Sequence, residues 1–277
     1  MLHITEVDTS KEQMRQDLIA YLKPHETHAL FLLGNLQSHF HPAFVYVAQE
    51  NGKIAGVCGY YPAFESCTIF STSSIASRKF AELVLQKHSS VNTLLGMASM
   101  IKPAFEEFVA QGRKPVNPPE MDFFELTMES FKPFSLPDVV IRPITERDVD
   151  SVARLLHLLH HVPIDDPITE EERLKVRASS VSFGLEIDGR IVAVASSNGL
   201  AIHAFQILGV ATDPAYQRKG YAKAVCSHLI CYMQKHGGKK AALFTGRENV
   251  AARKCYLDLG FQITDCYYFG IFQPVAQ

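Results

Sequence analysis

Two kinds of apolar pattern alternate along this chain. Short apolar runs predict strands, and longer stretches with apolar residues every three or four positions predict helices. In the second half, Val139, Val140 and Ile141 predict a first strand. Val149, Val152, Leu155, Leu156 and Leu159 form one face of a helix over 146–161, and a shorter helix is predicted over 170–178. Strands over 181–187 and 191–197 flank Asp188, Gly189 and Arg190, a hairpin signal. An apolar strand over 204–210 enters a turn at Asp213 and Pro214, then a helix with Ala222, Val225, Leu229 and Ile230 on one stripe. A short strand over 241–245, a helix over 249–259 and a closing strand or strands over 261–272 complete this half.

The first half carries the same order. A strand over 3–7 and a helix over 10–22 precede strands over 43–49 and 53–60, joined by Asn51 and Gly52, the clearest turn in the chain. A strand over 68–71, a helix over 75–88, a strand over 91–95, a helix over 99–111 and a closing strand over 121–128 follow. Repetition of one order predicts two α/β domains, each a mixed sheet with helices on both faces. The stretch 131–137 holds two prolines and predicts a linker between domains 1–130 and 138–277. A chain of 277 residues suits two domains of ordinary size.

Candidate chemistry concentrates in the second half. Gly220 stands where the loop becomes a helix, and the small Ala222 follows it, so the unpaired amides of the helix end are open to an anion. Downstream, Asn249 is a good N-cap, Ala252 and Tyr256 share a helix face, and Gly260 stands where that helix ends before Phe261.

Gln217, Gly220 and Ala222 match a (Gln/Arg)-x-x-Gly-x-(Gly/Ala) pattern, and Asn249, Ala252, Tyr256, Gly260 and Phe261 fit Asn-x-x-Ala-x-x-x-Tyr-x-x-x-Gly-Phe. In both respects the second half resembles the GCN5-related N-acetyltransferases. The resemblance implies an acetyltransferase (GNAT) fold in tandem and acetyl-CoA as co-substrate, with no metal. It implies that Val210, Ala211, Thr212, Gln217, Arg218, Lys219, Gly220, Tyr221 and Ala222 hold the coenzyme, with the loop amides on its pyrophosphate and the Val210 amide on the thioester carbonyl. It also places Asn249 and Ala252 beside the pantetheine arm and makes Tyr256 the acid that protonates the leaving thiolate. The first half resembles the family by element order only. Ser71, Thr72, Ser73 and Ser74 stand at the pyrophosphate position without the glycine, and Phe105 or Phe108 stands near the tyrosine position, so this half is expected not to bind coenzyme.

The implied reaction is direct transfer of an acetyl group to a primary amine of a small-molecule or peptide acceptor. An alkyl amine is almost wholly protonated at pH 7, which costs roughly 4 to 5 kcal/mol in reactive population. Many relatives place a glutamate on the strand before the loop, but here the strand begins His203, Ala204, Phe205, Gln206. A relayed water, His203 or an acceptor of lower pKa are the ways left to remove that proton. The alternative readings are another acyl donor, or a non-catalytic acyl-CoA sensor or partner-binding module.

Composition changes this picture little. A formal charge of −2, from 27 basic and 29 acidic side chains, gives no electrostatic case for nucleic acid or an anionic membrane. The six cysteines have no paired metal spacing and predict reduced thiols in a cytoplasm. No signal-like start is present, and no apolar run approaches the roughly 20 residues that span a bilayer. His157, His160 and His161 with Asp165 and Asp166 suggest a metal site less than a wall of the acceptor pocket, where the carboxylates would attract an amine.

Overall fold

A computed structural model describes residues 2–38, 43–160, 162–179 and 181–274. Its elements run β1 (Leu2–Val7), α1 (Glu12–Leu22), α2 (Leu30–Ser38), β2 (Phe44–Glu50), β3 (Lys53–Tyr61), β4 (Ser66–Ser71), α3 (Ser74–Lys87), β5 (Thr93–Met97), α4 (Ala98–Ala110) and β6 (Glu120–Thr127). The same order then repeats as β7 (Val140–Pro143), α5 (Val149–His157), α6 (Glu170–Ala178), β8 (Val181–Ile187), β9 (Arg190–Ala201), β10 (Ala204–Thr212), α7 (Tyr221–Lys235), β11 (Lys240–Gly246), α8 (Val250–Asp258) and β12 (Gln262–Ile271). The expected α/β class and the repeat are both present. Helix α2 was not expected: Ala29, Leu32, Leu33 and Leu36 form its buried face at helical spacing, but Leu30 and Phe31 beside them blur the contrast with the other face.

The chain forms two compact units. One comprises Met1–Phe123, Phe244–Glu248 and Ile263–Gln277, the other Phe124–Leu243 and Asn249–Gln262. In the N-terminal unit the strand order is β1-β2-β3-β4-β5-β12. Strands β4 and β5 are parallel but pair only over Ser66–Thr68 and Thr93–Leu95. The last strand is β12, antiparallel to β5 from Tyr267 opposite Met97 to Ile271 opposite Thr93. Tyr268 and Phe272 enter a core with Phe80, Ile101 and Phe108.

In the C-terminal unit the order is β6-β11-β10-β9-β8-β7. From Phe124 onward β6 belongs here, and Phe124 and Leu126 are buried with Val192, Phe205, Leu229, Ile230 and Tyr256. Each sheet thus ends in a strand taken from the other half of the sequence. The closing strand at 261–272 was expected in the second domain, and its pairing with β5 assigns it to the N-terminal unit instead. Residues 131–137, expected as a linker, lie within the C-terminal unit. There the Phe134 amide donates to Ser227 Oγ at 2.8 Å and the Lys132 amide donates to the Leu259 carbonyl at 2.9 Å, strapping the segment over α7 and the end of α8.

Candidate active site

Strand β10 is the floor of the site and is irregular where it matters. Leu208 lies opposite Ser196 and Ala211 opposite Val194, so Gly209 and Val210 face a single residue, Ala195. This is a β-bulge, and Gly209 takes φ +60° to make it. The bulge removes Gly209 and Val210 from regular register with β9. On its other edge β10 is parallel to β11, but pairing covers only Ala204–Gln206 against 240–242. Beyond Gln206 that edge is not laddered to β11.

After β10 the chain turns at Asp213, whose carboxylate accepts from the Ala215 amide and pairs with Arg190 at 2.6 Å. Two residues of the following loop take left-handed backbone, Arg218 at φ +63° and Gly220 at φ +82°. Gly220 is the N-cap of α7 and provides no capping side chain. The first intrahelical bond there runs from the Ala224 amide to the Gly220 carbonyl. The amides of Tyr221, Ala222 and Lys223 therefore precede the helical ladder. Three helices close this end with a side chain, Ser73 to the Ala76 amide on α3, Thr169 to the Glu172 amide on α6 and Asn249 Oδ1 to the Ala252 amide at 3.1 Å on α8, whereas α1, α4 and α5 share with α7 the lack of a capping side chain.

The loop, the bulged strand and α8 line one cavity of about 680 Å³, within the range of small-molecule sites. Val210, Ala211, Thr212, Gln217, Arg218, Gly220, Tyr221, Ala222, Asn249, Ala252 and Tyr256 all line it. Lys219 is not among the lining residues, and its Nζ lies 5.0 Å over the ring of Tyr216, which is. Thr212 Oγ1 is buried without a hydrogen-bond partner, an unsatisfied group in the wall of the cleft. Residues that the sequence reading passed over complete the wall, among them Lys223, Lys254, Cys255 and Asp258. Lys223 Nζ pairs with Asp258 at 3.3 Å and stands 4.1 Å over the Phe134 ring. Lys223 lies three residues after Gly220 and Cys255 three after Ala252, and that one-turn spacing was the available signal.

Tyr256 is held edge-on by Phe124 and Phe261, each with its ring centre 5.8 Å away. Burial pushes its hydroxyl well above the ordinary phenol value, and the Cys226 and Cys255 thiols push the same way. The phenol is therefore protonated throughout the neutral range. Gly260, at φ +98°, closes α8, and a Cβ there would collide with the Ser130 carbonyl. The Phe261 amide reaches back to the Tyr256 carbonyl at 3.1 Å, a glycine-dependent helix end that fixes the tyrosine's turn.

The basic candidates fall elsewhere. His203 precedes the first residue of β10, and its carbonyl accepts from Lys239 and Lys240. Seven residues of extended chain put it roughly 20 Å from Val210, so His203 is not the missing base. Gln206 is buried, and the one carboxylate among the described lining residues is Asp258. His157 is buried with Nδ1 3.1 Å from the Pro163 carbonyl and Nε2 2.9 Å from Glu172 Oε1. Asp165 and Asp166 are exposed turn residues and do not line the cavity, while His161 lies outside the described residues. Leu156 of α5 does approach the bulge, where a Cβ on Gly209 would meet its Cδ2 at 3.4 Å. Among the described residues no group of three or more His, Cys, Asp or Glu is placed to hold a metal, and no helix is long and apolar enough to cross a membrane.

Residues 151–261, which contain the bulged strand, the glycine-opened helix and the tyrosine helix, match the Acetyltransferase (GNAT) family. This stretch is a GNAT domain. Along the whole chain the fold is that of tandem GNAT proteins. One from the clavulanic acid biosynthesis pathway superposes with a TM-score of 0.66 over 100% of this chain and 99% of its own, at 11% identity. A Drosophila protein of known X-ray structure gives 0.74 over 99% of both chains at 14% identity. A GCN5-related N-acetyltransferase from Sphaerobacter thermophilus gives 0.64 over 100% and 98% at 11%. Among curated relatives, the [Ribosomal protein bS18]-alanine N-acetyltransferase of Escherichia coli strain K12 is 32% identical over 81 residues, 29% of this chain and 54% of that protein. The chain spans about half the length of the curated relatives it matches.

Proposed function

We propose that this GNAT protein moves the acetyl group of acetyl-CoA to a primary amine by direct attack. The observation that carries the reading is the single cleft lined by an uncapped helix start, a bulged strand and a buried tyrosine. The pyrophosphate sits at the N-terminus of α7 against the Tyr221, Ala222 and Lys223 amides, where an anion is favoured by the helix dipole. Arg218, Lys223 and Lys254 add positive charge on the cleft wall. The pantetheine arm follows Val210, Ala211 and Thr212 and passes Ala252 and Asn249. The Asn249 carbonyl is engaged as a cap, so its NH₂ is the group that meets the arm.

The Val210 amide donates to the thioester oxygen as negative charge develops there, a contribution of about 3 kcal/mol for one such donor. The amine nitrogen bonds to the carbonyl carbon, the carbon–sulfur bond breaks, the thiolate takes the Tyr256 proton, and the proton lost by the acylated nitrogen passes to water, from which the phenol is restored. A phenol is a weaker acid than a thiol, so this transfer follows carbon–sulfur cleavage rather than leading it.

Among the described residues no unpaired carboxylate lines the cleft, which points to an acceptor that loses its own proton readily. An α-amino group with pKa near 7.7 to 8.0 costs about 1 kcal/mol at pH 7, against about 4.6 kcal/mol for an alkyl amine. The curated relative acts on an alanine, which supports an α-amine acceptor here as well. The N-terminal unit is assigned no coenzyme, because Ser73 closes the start of α3. Six free thiols fit a reducing, cytoplasmic compartment.

The test is an amine screen with free-thiol detection. Amino-acid or peptide α-amines should release coenzyme A faster at pH 7 than alkyl amines of equal size. Release no faster than background hydrolysis with any amine would favour the sensor reading.

A further inference from the structure

A row of hydroxyls crosses the sheet beside the bulge. Ser182 on β8 lies opposite Ser196 on β9, and Ser196 lies opposite Leu208 on β10. The neighbours Val181, Phe183 and Ala195 pack in the core under α7, so Ser182 and Ser196 point to the other face. Their hydroxyls are hydrogen-bonded at 2.8 Å. Ser196 is buried, and its Oγ is 3.6 Å from where a Cβ of Gly209 would stand. Gly209 has no such carbon, which leaves a methyl-sized notch between Ser196 and Leu156. From the notch to the Val210 amide nitrogen is about 3 Å of backbone, so the Ser196 hydroxyl stands within roughly 7 Å of that amide.

Ser182 is the outer member of the pair. It lines a second cavity of about 540 Å³, whose wall also includes Thr145, Glu146 and Arg177. Glu146 and Arg177 are paired and part exposed, so water reaches this cavity. The hydrogen bond to Arg177 holds the Glu146 carboxyl below its usual value, which makes it a poor base. The two hydroxyls thus join the bulge to solvent beside β8.

We propose that Ser196 and Ser182 carry away the proton that the acceptor nitrogen loses on acylation, with Ser196 as the group that touches the nitrogen. The relay rests on the functional reading above and supplies the route to water that it needs. As the nitrogen bonds to the carbonyl carbon it becomes cationic. Its proton passes to Ser196 Oγ while the Ser196 proton passes to Ser182 Oγ and the Ser182 proton passes to water in the second cavity. Each serine gains one proton and loses one, so no alkoxide forms, and the positive charge leaves as hydronium. A hydroxyl both donates and accepts, which this exchange requires. Before transfer Ser196 donates to Ser182. Afterwards Ser182 donates to Ser196, the direction found in the structure, and rotation about the two carbon–oxygen bonds resets the pair.

The experiment measures single-turnover coenzyme A release by the full-length protein at pH 7, with an alanine-initiated tripeptide as acceptor. Ser196→Ala, Ser182→Ala, the double variant and Ser182→Thr are compared, each with calorimetric acetyl-CoA binding and a thermal melt. Transfer should slow by about tenfold or more in both alanine variants, and the double variant should be no slower than Ser196→Ala, as for two members of one relay. Acetyl-CoA affinity should be nearly unchanged throughout. Ser182→Thr, which keeps the hydroxyl, should recover transfer to within about threefold of wild type. Transfer within about twofold of wild type in Ser196→Ala, a double variant slowed by the product of the two single effects, or affinity lost in step with rate would overturn the relay and leave the functional reading standing. No transfer by the wild-type protein would instead remove that reading, and the relay with it.

Discussion

Gly220 and Phe134 meet at the start of α7: a Cβ on Gly220 would sit 3.4 Å from Phe134 Cζ, and the glycine backbone is left-handed at φ +82°. The segment 131–137 therefore backs the loop whose other side faces the cleft. Gly220→Ala should lower stability by about 1–2 kcal/mol from backbone strain and weaken acetyl-CoA binding by about tenfold, equivalent to about 1.4 kcal/mol. Gly237 has φ +98° with open space around it, at the far end of the same helix. Gly237→Ala should cost similar stability and leave acetyl-CoA affinity unchanged. Thermal melts and calorimetric titration of the two variants separate strain from ligand contact.

Tyr256→Phe keeps the ring between Phe124 and Phe261 and removes only the hydroxyl. Turnover should fall by about 10²-fold or more, as for loss of a general acid, with the acetyl-CoA dissociation constant nearly unchanged. The acid works while protonated, and burial raises its pKa above the usual 10. Its deprotonation therefore produces no descending limb in the wild-type rate below about pH 10. The rate should instead rise with pH through the pKa of the acceptor amine. Unchanged turnover in Tyr256→Phe would remove the residue from the acid role.

Asp148 anchors the first helix of the GNAT unit. It accepts from Arg142 at 2.7 and 2.9 Å, from the Thr145 amide at 2.9 Å and from Thr145 Oγ1 at 2.7 Å. The Arg142 guanidinium, with help from Thr145, holds its carboxyl well below the usual carboxylate range. Because the folded-state value is depressed, the stabilisation is complete above the unfolded value of about 3.9 and is lost as pH falls toward the folded-state value. Asp148→Asn should lower stability at pH 7 by about 1.5–3 kcal/mol and flatten its decline below pH 4. Chemical denaturation at pH 7 and pH 3 checks both.

Exchange of the closing strands implies that the second half does not stand alone. Fragment 138–277 lacks Phe124 and Leu126, which are buried beside Tyr256, and leaves the edge of β11 uncovered. It should show no cooperative thermal transition where the full chain does. Within the full chain, Phe124→Ala should cost about 3–5 kcal/mol. A fragment that melts cooperatively and binds acetyl-CoA would contradict the exchange.

Much of this was legible locally. Gly220, Asn249 and Gly260 mark helix ends by chemistry that acts within a few residues, and each is where the sequence places it. The glycine inside the strand, Gly209, was an available sign of the bulge, since a strand interior seldom keeps glycine without a backbone reason. The partners of β6 and β12 were not legible. Their alternation shows a strand with a buried face, but it does not say which of two similar sheets the strand joins. Phe134 and Leu136 read as linker residues because Pro133 and Pro137 flank them, and only the folded chain shows their apolar side chains packed on α7.

Calorimetric titration of the whole chain with acetyl-CoA tests the account most directly. One site per chain is the predicted result, held by the cleft between β10, α7 and α8 and lost in Gly220→Asp, which sets a carboxylate against the pyrophosphate. No binding heat, two sites per chain, or unaltered affinity in Gly220→Asp would contradict it.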